Sequence, residues 1–223
     1  MLDIAYFSKQ GTNQINGEAI LHLHSQNINL FALAEGVGEA TVKNLSANFS
    51  LGVIQKLFLD NNDITIREIF KNLSLELQRF STESTQVKTM LTLSIIKEGQ
   101  VYIGHIGNSR VYHITDGKIL QKTDDQSHLQ RSISQTIMDR ESLKPVISGN
   151  GNYTIEEHNF PIEKGEKIIL LSDGIYESIS EASDLRQLVE TSNNIKTLAF
   201  KIQQVIEFYE IEDDYSAICI EAL

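Results

Sequence analysis

Cysteine and proline are almost missing from this chain. Its 223 residues hold one cysteine, Cys219, and two prolines, Pro145 and Pro161. A lone cysteine excludes a disulfide within the chain, and its place in an apolar alternating run points to a buried, inert thiol. Long hydrophobic runs are also missing, so nothing reads as a membrane-spanning helix. The opening Met1-Leu2-Asp3-Ile4-Ala5 lacks the basic segment that begins a secretory signal. The expectation from these absences is a cytoplasmic protein. Basic residues are scarce: 19 Lys and Arg stand against 30 Asp and Glu, a net charge of −11. A surface that acidic repels phosphate backbones and anionic lipid, which argues against nucleic acid and membranes as partners. Either the acid only keeps the protein in solution, or part of it is gathered to hold cations.

What is present is the patterning of a folded chain. Apolar residues make up 41% and charged residues 22%, a balance of globular rather than disordered sequence. With no long linker, repeat or low-complexity run, residues 1–223 are expected to form a single domain. Apolar runs at Ala19–His24 and Ile28–Ala34, split by Ser25-Gln26-Asn27, predict a hairpin. Helical spacing of apolar residues predicts helices over Ala40–Leu59 and Ile66–Phe80, the second capped by Asp63 or Thr65. A meander follows at Met90–Ile96, Val101–Ile106, Arg110–Ile114 and Lys118–Gln121, with Asp116-Gly117 as a hairpin turn. Ser127 to Gly151 is polar, irregular and unassigned. Beyond it, strands are expected at Tyr153–Phe160, Lys167–Leu171 and Tyr215–Ile220, and helices at Leu185–Val189 and Ile195–Phe208. The order of strands, helix pair, strands, helix pair and strand predicts an α+β fold, with antiparallel sheets packed on each other and helices outside.

Four acidic residues fall at the ends of these strands. Glu18 begins the first, Glu35 ends the second, Asp173 follows Lys167–Leu171 and Asp213 precedes the last. Strand ends at one rim of a sandwich can converge, and converging carboxylates repel unless a cation neutralises them. Hard oxygen ligands with no Cys or His nearby suit Mg²⁺ or Mn²⁺ better than zinc. Two such ions can share a carboxylate and activate a bridging water for in-line attack on phosphorus. Acids at strand ends are also ordinary turn residues, so spacing alone leaves a turn and a metal site both open. His22 and His24 share a strand face, and His105 and His113 lie in the meander. Without a third ligand, these histidines read as surface or packed residues, and Arg110 as a brace for its hairpin.

Several motifs occur in order along nearly the whole chain. Asn16-Gly17-Glu18-Ala19 opens the series, and Glu35-Gly36-Val37-Gly38 sits at a strand end before a helix. Gly107-Asn108-Ser109-Arg110 follows, then Thr115-Asp116-Gly117-Lys118, then Leu170-Leu171-Ser172-Asp173-Gly174, and Asp213-Asp214-Tyr215-Ser216 closes it. Together they resemble the metal-dependent protein phosphatases of the type-2C (PPM) family. The resemblance implies a four-layer αββα sandwich, two antiparallel sheets flanked by helix pairs. It implies hydrolysis of phosphoserine and phosphothreonine in proteins by a metal-activated water, with no covalent phosphoenzyme. Glu35, Asp173 and Asp213 match the residues that hold a pair of Mn²⁺ or Mg²⁺ ions, Gly36 the carbonyl ligand, and Glu18 a residue in or just outside that shell. The stretch from Ser127 to Gly151 matches the flap that shapes substrate access. A phosphorylated protein substrate, or a protein kinase partner, is implied in turn.

The sequence also departs from the family pattern. Glu18 and Glu35 stand where the family has Asp, keeping the charge on an arm one methylene longer. Asn108 replaces the Asp that helps to hold a further metal, which weakens the place of a third ion. No Arg occurs between Met1 and Arg67, so the region of Asn13 and Gln14 lacks the family's phosphate-gripping guanidinium. Glu39 replaces a small glycine beside the metal loop. Two expectations follow: a working metal-dependent phosphatase, of full or reduced activity, or an inactive relative that binds a phosphoprotein or a regulator.

Overall fold

Strands with no polar face lie at the centre of this protein, because they are covered on both sides. The computed structural model describes residues 1–12, 15–126, 145–179, 182–209 and 211–223, with the side chains of 182 and 183 outside that description. Among these residues the order is β1 (Leu2–Lys9), β2 (Glu18–Ser25), β3 (Ile28–Gly36), α1 (Ala40–Asp60), α2 (Ile66–Phe80), β4 (Thr89–Lys97), β5 (Gln100–Ile106), β6 (Arg110–Thr115), β7 (Lys118–Gln121), β8 (Glu156–Pro161), β9 (Lys167–Leu171), α3 (Asp173–Tyr176), α4 (Ala182–Glu190), α5 (Ile195–Tyr209) and β10 (Tyr215–Ala222). Two five-stranded sheets result, ordered β1-β10-β9-β6-β7 and β2-β3-β4-β5-β8. Every pairing within them is antiparallel.

Alternation along the strands assigns the layers. On β3, Phe31 and Leu33 point between the sheets, where they meet Ile168 and Leu170 of β9 and Ile218 and Ile220 of β10. The intervening Leu30, Ala32 and Ala34 face α1 and α2. On the other sheet, Ile169 and Leu171 of β9 with Ala217 and Cys219 of β10 face α4 and α5. The result is the four-layer αββα sandwich. Three stacked apolar layers fix the two sheets relative to each other, and so fix which strand ends share a rim. No described helix is long and apolar enough to cross a membrane.

Local chemistry sets the element ends. Glu98-Gly99 and Asp116-Gly117 both take positive φ at each residue, as tight hairpin turns of the type I′ kind require. Thr65, rather than Asp63, caps α2: its hydroxyl accepts the Glu68 N–H while the Glu68 carboxylate accepts the Thr65 N–H. Asp63 instead pairs with Lys97 at 2.6 Å. Burial pushes the Cys219 thiol up to about 12, so it stays neutral as expected.

Two strands differ from the sequence reading. β1, which no motif marked, pairs with β10 along its whole length as an edge strand. Residues from Tyr153 to Ile155 were expected in a strand, yet β8 begins at Glu156, opposite His105. Its partner β5 ends at Ile106, so earlier residues find no ladder and turn to the helix layer, where the Tyr153 hydroxyl donates to the Phe70 carbonyl at 3.0 Å.

The contact between α2 and β5 depends on a missing side chain. A Cβ on Gly104 would lie 2.3 Å from Ile66 Cγ2 and 2.9 Å from Phe70 Cε2. Gly104→Ala is therefore expected to destabilise the fold by about 1–3 kcal/mol, as overpacking does. Chemical denaturation of the two proteins measures this. Equal stability would mean that α2 shifts off the sheet without cost.

Candidate metal centre

The site begins with strand register. β2 and β3 pair so that Glu18 stands directly opposite Glu35, an arrangement in which like charges repel. Glu18 is almost wholly buried, at 5% exposure, and Glu35 is half-buried. On the other sheet β9 ends at Leu171, and Ser172 leads into α3 with Asp173 as its first residue. The neighbouring β10 starts at Tyr215, directly after Asp213 and Asp214. Ser172 and Ser216 lock the two strand ends: the Ser172 N–H donates to the Ser216 carbonyl at 3.0 Å, and the Ser216 N–H to Ser172 Oγ at 2.9 Å.

Face-to-face packing brings both edges to one rim. One carboxylate oxygen from each of Glu18, Glu35 and Asp173 lies within 4.8 Å of the others. A cavity of about 40 Å³ is lined by these three with Gly17, Lys43, Asp213 and Asp214. Asp213 thus borders the same space but is exposed and stands outside the tight group. Gly36 is buried behind Glu35. Its N–H donates to the Gly17 carbonyl at 3.0 Å, and a Cβ on it would lie 1.9 Å from the Lys43 carbonyl oxygen.

The electrostatics are those of buried acids brought close together. Burial pushes the Glu18 carboxyl up to about 8; the carboxylates of Asp173 and Asp214 add to the rise, and hydrogen bonds with Ser216 and Ser172 oppose it. Glu18 Oε2 is buried with no hydrogen-bond partner among the described residues. Asp173 is raised too, first by burial and then by Glu177 and Asp213, while hydrogen bonds from the Gly174 N–H and the Asn108 amide pull it back. An unpartnered buried carboxylate oxygen is costly and rare, and a set of hard oxygen donors around it fits a divalent cation such as Mg²⁺ or Mn²⁺.

Asn108 turns its amide toward this group, donating from Nδ2 to Asp173 Oδ2 at 2.5 Å. Glu39 is exposed at the start of α1 and does not line the cavity. Arg110 lays its guanidinium 3.7 Å from the Tyr176 ring centroid, bracing β6 against α3. His22 and His24 share Asn29 Oδ1, and His105 is buried between Thr92 and the Asp124 carbonyl; none of them lines the cavity. Asn13, Gln14 and residues 127–144 of the expected flap lie outside the described residues. The end of that stretch is anchored, since Ile147 pairs with Thr89 beside Gly36.

Sequence reading missed two residues of the site. Asp214 accepts the Gly17 N–H at 2.7 Å and the Gly11 N–H at 3.1 Å, tying the β1–β2 connection to the start of β10. Its place in the Asp213-Asp214 pair was the available signal. Lys43 reaches the cavity from α1, and nothing in its local sequence marks it.

Known proteins share this architecture. Residues 30–223 match the family model described as Stage II sporulation protein E (SpoIIE). The serine/threonine phosphatase stp of Listeria innocua is 20% identical over 166 residues, which cover 70% of this chain and 65% of that protein. The solved structure of the serine/threonine phosphatase Stp1 from Staphylococcus aureus aligns with a TM-score of 0.83 at 19% identity, covering 100% of this chain and 96% of the other. The crystal structure of RsbX in complex with magnesium aligns with a TM-score of 0.73 at 14% identity, covering 99% and 94%. With a family match running from β3 to the end of β10, and the order of motifs and layers that goes with it, this chain belongs to the SpoIIE/type-2C (PPM) family of metal-dependent protein phosphatases.

Proposed function

We propose that this protein is a divalent-metal-dependent phosphatase acting on phosphoserine and phosphothreonine in proteins. The observation that carries this reading is the convergence of Glu18, Glu35 and Asp173, with a buried carboxylate oxygen left unpartnered. Glu18, Glu35, Asp173 and the exposed Asp213 would hold Mn²⁺ or Mg²⁺, with the Gly36 carbonyl as a further donor by its place in the motif. Bound there, such ions supply positive charge against the phosphoryl oxygens and a water nucleophile of lowered pKa.

The chain's own groups prepare that site. Asp214 and the serine lock hold the two strand ends in place. Asn108 and the Gly174 N–H orient the Asp173 carboxylate, whose oxygens keep further lone pairs for a cation. Glu18, whose carboxyl burial pushes up to about 8, would give up its proton if it became a ligand. Cys219, neutral and buried, takes no part, so activity should survive thiol blockers.

A second reading draws on the same Asn108. A neutral amide stands where the family has a carboxylate, which favours an inactive relative that binds a phosphoprotein or a regulator. Three measurements decide among these readings. First, Mn²⁺ is expected to raise the thermal midpoint and to be required for phosphate release from phosphoserine and phosphothreonine peptides. Asp173→Asn should remove activity and most of the Mn²⁺ stabilisation while leaving the circular dichroism of the fold intact. Unchanged turnover in that variant would sink the metal mechanism.

The second measurement follows from Glu18. Its folded carboxyl titrates near 8 against an ordinary value of 4.5, so the folded state binds the proton more tightly than the unfolded one. That contribution to stability is fully present below 4.5 and is lost as pH rises through 8. In metal-free protein, Glu18→Gln should abolish this loss between the two values. Mn²⁺ binding to wild type near pH 7 should release close to one proton, read by calorimetry in buffers of different ionisation enthalpy. Proton-neutral binding would place the metal elsewhere.

The third concerns Asn108. Asn108→Asp puts a second carboxylate against Asp173, so the midpoint should fall in chelator and the Mn²⁺-induced gain should grow. If the wild-type site is merely weakened, turnover should rise about tenfold, a gain of ~1.4 kcal/mol in transition-state stabilisation. A variant that binds Mn²⁺ and stays as silent as wild type would favour the inactive reading.

A further inference from the structure

Lys43 is the one cation among the described residues that line the acidic cavity. It is half-buried, and its ammonium makes no hydrogen bond or ion pair among the described residues. Two glycines bring it there. The missing side chain at Gly36 lets the α1 backbone close in, since a Cβ would meet the Lys43 carbonyl carbon at 2.5 Å. The Lys43 stem then runs over Gly17, where a Cβ would lie 3.1 Å from Lys43 Cβ and 3.2 Å from its Cδ. Gly17 is the residue whose N–H is held by Asp214, so the seat of the lysine and the acidic rim form one unit.

The position is unfavourable for helix stability. Lys43 stands at the fourth residue of α1, a 21-residue helix whose first turn has no acidic residue and no side-chain cap. A cation near the positive end of a helix dipole is repelled, and an anion is attracted. If Lys43 served to neutralise the carboxylates, it would pair with one of them. Five of them line the same cavity, from Glu18, Glu35, Asp173, Asp213 and Asp214, and none makes an ion pair with it. An unpaired ammonium beside an uncapped helix start and a cation-binding rim suits an anion that also contacts the cations.

The geometry points to Lys43 as the phosphate-positioning residue of this site, holding a non-bridging oxygen of the substrate's phosphoryl group and of released inorganic phosphate. This rests on the phosphatase reading for the substrate, but the binding of phosphate itself can be tested without turnover. A lysine supplies a compact point charge with three donors on a flexible stem, so it needs no fixed fork geometry.

The test compares wild type, Lys43→Met and Lys43→Arg as full chains loaded with Mn²⁺. Inorganic phosphate binding is measured by calorimetry, alongside Mn²⁺ affinity, and KM and kcat are measured on a phosphopeptide. Lys43→Met is expected to weaken phosphate binding about 10- to 100-fold, the value of one charge-assisted contact, and to raise KM in step, with a much smaller change in kcat. Lys43→Arg should recover most of the binding, and Mn²⁺ affinity should stay equal or tighten when the positive charge is removed. A purely structural lysine would not divide its effects in this way. Phosphate affinity equal in wild type and Lys43→Met, or absent from both, overturns the proposal. So does a tightening of Mn²⁺ binding with no change in phosphate binding, which would make Lys43 the counter-charge of the carboxylates. If all three proteins fail to turn over phosphopeptide while phosphate binding still falls in Lys43→Met, the role of Lys43 stands and the phosphatase reading fails.

Discussion

The repulsion among Glu18, Glu35 and Asp173 is the constraint that the rest of this structure serves. Left to themselves, carboxylates move apart or into water, and burying even one without a partner is costly. Here they cannot move apart. Glu18 and Glu35 are fixed opposite each other by the β2–β3 ladder, and Asp173 is fixed by the end of β9. The apolar layer between the sheets, built from residues such as Phe31, Leu33, Leu170 and Ile218, holds these two edges together. Packing energy spread over the sandwich thus holds these acids together at one rim, where a proton on Glu18 or a bound cation would relieve their repulsion.

Polar contacts around the rim then refine the arrangement. Asp214 spends both its oxygens on backbone N–H groups, so it shapes the loop while its charge still adds to the field on Glu18. Asn108 binds Asp173 without adding charge. The longer arms of Glu18 and Glu35 do not prevent convergence, because their oxygens come within 4.8 Å of the Asp173 oxygen. Burial differs across the set, with Glu18 deep and Asp213 exposed. The rim therefore grades from a dry, proton-holding end to a solvated mouth.

Most of the fold was legible in the chain, because local signals and tertiary demands agree there. A period-3.6 stripe marked α2, which spans Ile66–Phe80 as read, whereas α1 buries Ser46 and Ser50 and leaves Leu45 of its expected apolar face exposed. Asp116-Gly117 marked a hairpin whose φ angles only such a pair takes easily. Where the signals failed, the reason is physical. β1 is an edge strand with mostly half-buried residues, so its alternation is faint. α3 is a single turn, shorter than any periodicity can show. The start of β8 depends on where its partner β5 stops, which is not written in the residues of β8 itself.

For the site, the sequence by itself determined the supply of acid, the strand-end placement of Glu18, Glu35, Asp173 and Asp213, and the order of motifs that identifies the family. It also excluded a disulfide within the chain, since Cys219 stands alone, while its burial is a result of the fold. Only the tertiary structure decided which of the acids meet. Convergence depends on two sheets packing face to face, an interaction between residues more than a hundred positions apart, to which no local pattern is sensitive. It separated the tight group of Glu18, Glu35 and Asp173 from the outlying Asp213, made a structural staple of Asp214, and brought Lys43 to the rim through the space left by Gly17 and Gly36. A lysine on a helix looks the same in sequence whether it faces water or a cavity; the difference lies in what packs beneath it.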